Sequence, residues 1–158
     1  MLKSTVRALQ ALLDGQRVLA IAVQAGTTPY AGLLPFVPMP DRASVLVHAS
    51  RMSKHSQGLS EGARVGVLIH EPDLPDKDPL QLERVMFECV VRPLERKSDA
   101  WSAGRELYLA RFPDSRITFN LGDFTLHRLE LQSGLYVAGF GRAMEIAPRD
   151  IARLATPA

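Results

Sequence analysis

Ser44-Val45-Leu46-Val47-His48-Ala49 is an apolar, β-branched run, and Ser50-Arg51-Met52-Ser53-Lys54-His55 follows it directly. The first half reads as a buried strand, the second as the opening of a short helix over Ser53 to Ser60 that ends near Gly62. Two hydroxyls, two fixed cations and one imidazole fall within the six residues Ser50 to His55. A helix start offers unpaired N–H groups and a partial positive charge, which suit an anion such as a phosphate-bearing ligand. The same residues also read as a plain N-cap at Ser53 with Arg51 and Lys54 in solvent. The junction alone leaves both readings open, so its surroundings decide.

On the N-terminal side, Val6, Leu9, Leu12 and Leu13 share one helical face, and Asp14-Gly15 ends that helix. Arg17 to Gln24 is a strand with apolar residues on both sides, which predicts burial of both faces. Ala25 to Thr28 is a hairpin turn, and Pro29 to Val37 returns as a second strand. Pro35 lacks a backbone donor, so its position is predicted to be an edge, a bulge or a ligand-facing bend.

Beyond the junction, Arg64 to His70 is a strand, Glu71 to Leu80 a proline-rich acidic loop, and Arg84 to Pro93 another strand. Ser98 to Phe112 is a helix stopped by Phe112-Pro113-Asp114. Phe124 to Leu131 alternates as a strand, turns at Ser133-Gly134 and resumes over Leu135 to Ala138. Asp150 to Leu154 is a last helical scrap. The fold class is therefore mostly β with flanking helices: a six- or seven-stranded antiparallel barrel in one domain spanning 1–158.

The net charge of +2 comes from mixed signs, which argues against a nucleic-acid or anionic-membrane partner. The single cysteine, Cys89, lies in an apolar strand; it excludes an internal disulfide and fits a reducing, cytoplasmic compartment. No apolar run approaches the length of a membrane span, and the N-terminus lacks a secretory h-region. His48, His55, His70 and His127 are dispersed along the chain without metal-ligand spacing, so no metal site is expected. Glu88 and Arg92 share a strand face and read as a solvated pair. No nucleophile elbow, P-loop or dinucleotide fingerprint is present, and no catalytic residue can be named.

Several segments in order carry a resemblance: Thr28-Pro29-Tyr30, Leu34-Pro35-Phe36, Ser50-Arg51-x-Ser53-Lys54-His55, Tyr108 to Pro113, Leu121-Gly122-Asp123-Phe124 and Gly139-Phe140-Gly141-Arg142-Ala143. Over residues 5–146 the chain resembles the pyridoxamine 5′-phosphate oxidase-like FMN-binding split barrels, on the side of the haem-utilisation (HugZ-type) subgroup. The resemblance implies a homodimer with FMN at the interface. It places Ser50, Arg51, Ser53, Lys54 and His55 at the FMN phosphate, and Gly32, Leu33, Leu34 and Pro35 beside the flavin ring. Phe140 and Arg142 come near the cofactor from the partner subunit.

The implied activity is that of an FMN-dependent oxidoreductase on a small substrate. Two alternatives are haem binding or degradation, with one of the four histidines as iron ligand, and a non-enzymatic dimeric binding module. The second strand is apolar and no Arg-x-His motif follows Glu145, which speaks against pyridoxal phosphate synthesis. No histidine follows His127, where haem-utilisation relatives carry a C-terminal haem ligand.

Overall fold

Seven antiparallel strands run in the order β3-β2-β1-β4-β5-β6-β7, and a further pairing of β3 with β6 closes the first six into a barrel. In this computed structural model residues 1–155 are described, so the last three residues of the expected domain lie outside the described residues. The strands are β1 (Val18–Ala25), β2 (Thr28–Pro38), β3 (Ser44–Ser50), β4 (Arg64–His70), β5 (Arg84–Pro93), β6 (Phe124–Val137) and β7 (Ala143–Ile146). Four α-helices flank them among the described residues: α1 (Lys3–Gly15), α2 (Asp99–Arg111), α3 (Arg116–Asn120) and α4 (Pro148–Leu154).

The period-2 pattern of the strands fills the barrel. Leu19, Ile21, Val23, Val45, Val47, Val65, Val67, Phe87, Cys89, Leu129 and Leu131 point into one core, which α1 and α4 close with Leu9, Leu13 and Leu154. A second cluster lies outside the barrel. Leu46 and Leu126, on the opposite face of β3 and β6, pack under α2 and α3 with Val37, Tyr108 and Phe119. This explains why β3 alone is buried at nearly every position: it is covered on both sides.

Four sequence expectations change. β1 is buried on one face only: Val18 is 46% exposed and Ala22 is also exposed. The small apolar residues there lie on an outer sheet face that no α-helix among the described residues covers. Ser133-Gly134 is not a turn, because β6 runs unbroken from Phe124 to Val137. The register shift between Glu88 and Cys89 absorbs the extra residue of β6. Gly134 is needed there, since a Cβ would lie 2.5 Å from the Met86 carbonyl and 2.8 Å from the Phe87 ring. The helix expected over Ser53–Ser60 is a five-residue 3-10 turn, Lys54–Gly58, and the Ser53 side chain caps nothing. Lastly, Glu88 and Arg92 each pair across strands, Glu88 with Arg64, and Arg92 with Glu61 and Glu130.

The split in the barrel follows from Pro35. β2 pairs with β1 along Thr28–Pro35 but with β3 only at Phe36, Val37 and Pro38. Backbone groups of successive residues face opposite sides of a strand. The Phe36 N–H donates to the Arg17 carbonyl on the β1 side, so position 35 faces the β3 side. Proline has no N–H to give there, and the ladder stops. The Pro35 carbonyl instead accepts the Tyr108 hydroxyl at 3.4 Å. The gap so opened between β2 and the end of β3 receives the 3-10 turn.

Candidate functional site

The turn Lys54–Gly58 lies flat on β1 and β2 because two glycines let it. A Cβ on Gly58 would sit 2.6 Å from Val23 Cβ, and a Cβ on Gly32 would sit 2.5 Å from His55 Nδ1. Gly32 therefore serves as the bed of the His55 imidazole. His55 Nε2 is buried and has no hydrogen-bond partner among the described residues. Burial lowers the His55 pKa from its ordinary value, which favours the neutral imidazole.

Around this ring the junction is arranged by hydrogen bonds to the loop before β6. Ser50 Oγ donates to Asp123 Oδ2 at 2.9 Å and accepts from the Met52 N–H at 3.2 Å. The Arg51 N–H donates to the Asp123 carbonyl at 2.7 Å, and Arg51 Nη2 to the Gly122 carbonyl at 2.7 Å. Ser56 Oγ closes the loop on the Ser50 carbonyl at 2.6 Å. Ser53 is half-buried, and Lys54 is exposed at the rim. A turn this short carries no useful dipole, so any anion held here would depend on side-chain charge rather than on a helix end.

The structure thus brings together Gly32, Leu33, Leu34 and Pro35 of β2 with Ser50, Arg51, Ser53, Lys54 and His55. Leu34 is core, whereas Leu33 and Pro35 face outward, Leu33 at 67% exposure. Phe140 and Arg142 are not joined to this group within one chain. They lie beyond the far end of β6, roughly 40 Å of extended strand from Phe124. There the Phe140 N–H donates to Gln81 Oε1, and Arg142 Nη2 to the Ala138 carbonyl.

Sequence spacing misses the convergence of histidines. Two of the four lie on the β3–β6 seam, which pairs Val47 with His127 and His48 with Leu126, and His55 is near enough to His127 to help lower its pKa. His127 faces the barrel interior with Nδ1 buried and unpartnered, and burial lowers its pKa to about 4. His48 faces the opposite side, stacked on Phe119 at 3.8 Å between ring centroids. Its pKa is also lowered to about 4, by burial first and then by the nearby His127 and Arg96. His70 is exposed at the end of β4 with Nδ1 2.6 Å from the Glu71 carbonyl. No group of three or more His, Cys, Asp or Glu among the described residues is placed to hold a bare metal ion.

No protein-family model matches the chain. It is 28% identical over 130 residues to the haem oxygenase HutZ of Vibrio cholerae, covering 82% of this chain and 73% of that protein. The crystal structure of HutZ, there described as a haem storage protein, superposes with a TM-score of 0.75 at 26% identity, over 85% of this chain and 95% of that one. A haem-binding protein from Mycobacterium smegmatis gives a TM-score of 0.83 at 21% identity over 97% of this chain, which spans 62% of that protein. An FAD-binding protein from Mesorhizobium loti gives 0.63 at 13% identity, over 85% of this chain and 92% of that one. The last two likenesses show the fold alone. No helix among the described residues is long and apolar enough to cross a membrane.

Proposed function

Starting from a pyridoxamine 5′-phosphate oxidase-like split barrel of the haem-utilisation type, we propose that this protein binds haem at the split of its barrel and acts in haem degradation. The observation that carries this reading is the His55 imidazole at the split, bedded on Gly32 and flanked by Arg51 and Lys54, with an Nε2 that has no hydrogen-bond partner among the described residues and that a small movement of the Lys54–Gly58 turn would uncover for iron. An iron ligand must be a neutral imidazole with a free lone pair. The other three histidines fit worse. His48 is stacked and bonded under α3, His127 is turned into the core, and His70 lies out on β4.

The residues at the split fit the rest of a haem. Lys54 and Arg51 supply positive charge of the kind that pairs with carboxylate side arms. Haem would supply the redox chemistry; His55 would supply a nitrogen ligand, and Arg51 and Lys54 charge for the side arms. A homodimer completes the site, because only a second chain can bring Phe140 and Arg142 to the split. Its interface would use the uncovered outer face of β1 and its neighbours. The similarity to HutZ supports the haem reading; the reducing compartment inferred from one cysteine is consistent with it.

Haemin titration followed at the Soret band tests this. The expected result is a saturable band that shifts and weakens in His55→Ala and is unchanged in His70→Ala. A protein whose spectrum is the sum of free haemin and apoprotein would overturn it.

A second reading is an FMN-dependent oxidoreductase. It is favoured by the same cations at Arg51 and Lys54, with Ser53 beside them, and by the open backbone edge of Gly32 to Pro35. A yellow purified protein that releases FMN on denaturation, and loses it in Lys54→Ala, is the outcome that selects it.

A further inference from the structure

On the outer side of the β3–β6 seam lies a cavity of about 210 Å³ beneath α2 and α3, separate from the bed of His55. Its walls are aromatic: Trp101, Phe119 and Phe124. Its charge is positive, from Arg51 and Arg96, and no carboxylate lines it. Neither guanidinium makes an ion pair among the described residues. Arg51 is steadied by the Gly122 carbonyl, and Arg96 by the Phe119 carbonyl at 3.0 Å and the Trp101 ring at 5.8 Å. Those neutral partners fix the two cations without neutralising them.

His48 adds a directed acceptor. Thr118 Oγ1 gives its proton to the Ser115 carbonyl at 2.8 Å and lies 3.2 Å from His48 Nδ1. The hydroxyl has no second proton, so His48 Nδ1 is the donor in that pair. A neutral imidazole protonated at Nδ1 leaves Nε2 as a bare acceptor. His48 is 7% exposed and lines the cavity.

We propose that this cavity is a binding site for a small aromatic carboxylate of one ring, bearing a ring hydroxyl. A dry cavity of roughly 150 Å³ takes up benzene, so the space here holds one ring and its carboxylate but not a tetrapyrrole. The ring packs between Phe124 and Trp101 over the edge of Phe119, the carboxylate meets Arg51 and Arg96, and the hydroxyl donates to His48. Arg51 stands between this cavity and the split, so an occupant draws on one of the charges assigned to the haem side arms.

Trp101 is the only tryptophan of the chain, so its emission reports the cavity directly. The probe is 4-hydroxybenzoate added to the haem-free protein, with benzyl alcohol as the uncharged control. The expected result is a saturable change in emission in the roughly millimolar range or tighter, absent with benzyl alcohol. Arg51→Gln, at an exposed side chain that the fold tolerates, weakens binding about tenfold, as does Arg96→Gln. No saturable change in the wild type, equal binding of benzyl alcohol, or unchanged affinity in Arg51→Gln overturns the proposal. Because no haem is present, each result stands apart from the haem reading.

Discussion

Gly32→Ala separates the geometry of the split from the stability of the barrel. The new Cβ would lie 2.5 Å from Nδ1, 2.8 Å from Cγ and 3.0 Å from Cε1 of His55. Ordinary contact needs close to 4 Å between carbons, so the ring must move by roughly 1 Å or swing out of its bed. Holding the ring in place would cost about 1–3 kcal/mol, as overpacking does. Against that, alanine in this strand position, where φ is not left-handed, gains about 0.4–1 kcal/mol from the unfolded chain. The net loss is then at most about 2.6 kcal/mol, a fall in Tm of no more than roughly 10 °C for a domain of this size. Haem binding should suffer far more, because displacement of the ring by a large fraction of an ångström moves the nitrogen that would ligate iron. The assay is a thermal melt paired with a haemin titration on the same preparation. A variant that melts within that range but has lost the wild-type Soret band meets the expectation. A variant with the wild-type Soret band and affinity would refute the role of Gly32 as the bed of an iron ligand.

Other consequences are independent of the ligand. His48 and His127 are held by burial at about 4 against an ordinary 6.5. Between those values the unfolded chain binds protons that the folded chain refuses, so stability falls as pH drops from 6.5 towards 4. The slope reaches about 1.4 kcal/mol per pH unit for each histidine; equal urea midpoints at pH 7 and pH 5 would contradict it. Ser98→Ala removes the acceptor of the Trp101 N–H at the start of α2 and should cost about 1 kcal/mol in urea unfolding. Gly134→Ala sets a Cβ against the fixed Met86 carbonyl and should cost about 1–3 kcal/mol by the same measurement, with the β-sheet circular dichroism retained.

Much of the barrel was legible in the sequence because strand patterning is local. β4 over Arg64–His70 and β5 over Arg84–Pro93 follow from apolar runs between turn residues, and the end of α2 from its Phe112-Pro113-Asp114 stop. Pro35 marked the break in the ladder for the right physical reason, its missing donor. β6 was misread at Ser133-Gly134 because a bulge uses the same residues as a turn, and only the partner strand distinguishes them. The outward face of β1 was misread because small apolar residues look alike whether a helix, a second chain or solvent covers them. At the split, the sequence showed the cations and hydroxyls of Ser50 to His55 but not which groups they face. Ser50 turns to Asp123, more than seventy residues on, and His55 turns to Gly32. The clustering of His48 and His127 depends on the β3–β6 register, which no local pattern encodes.

The central claim is that His55 supplies the nitrogen ligand to haem iron at the split. Optical titration of the purified protein with haemin, run in parallel on wild type and His55→Ala, tests it most directly. The account predicts a saturable Soret band in the wild type that is displaced and weakened in the variant. Identical Soret bands and affinities in the two proteins would contradict it.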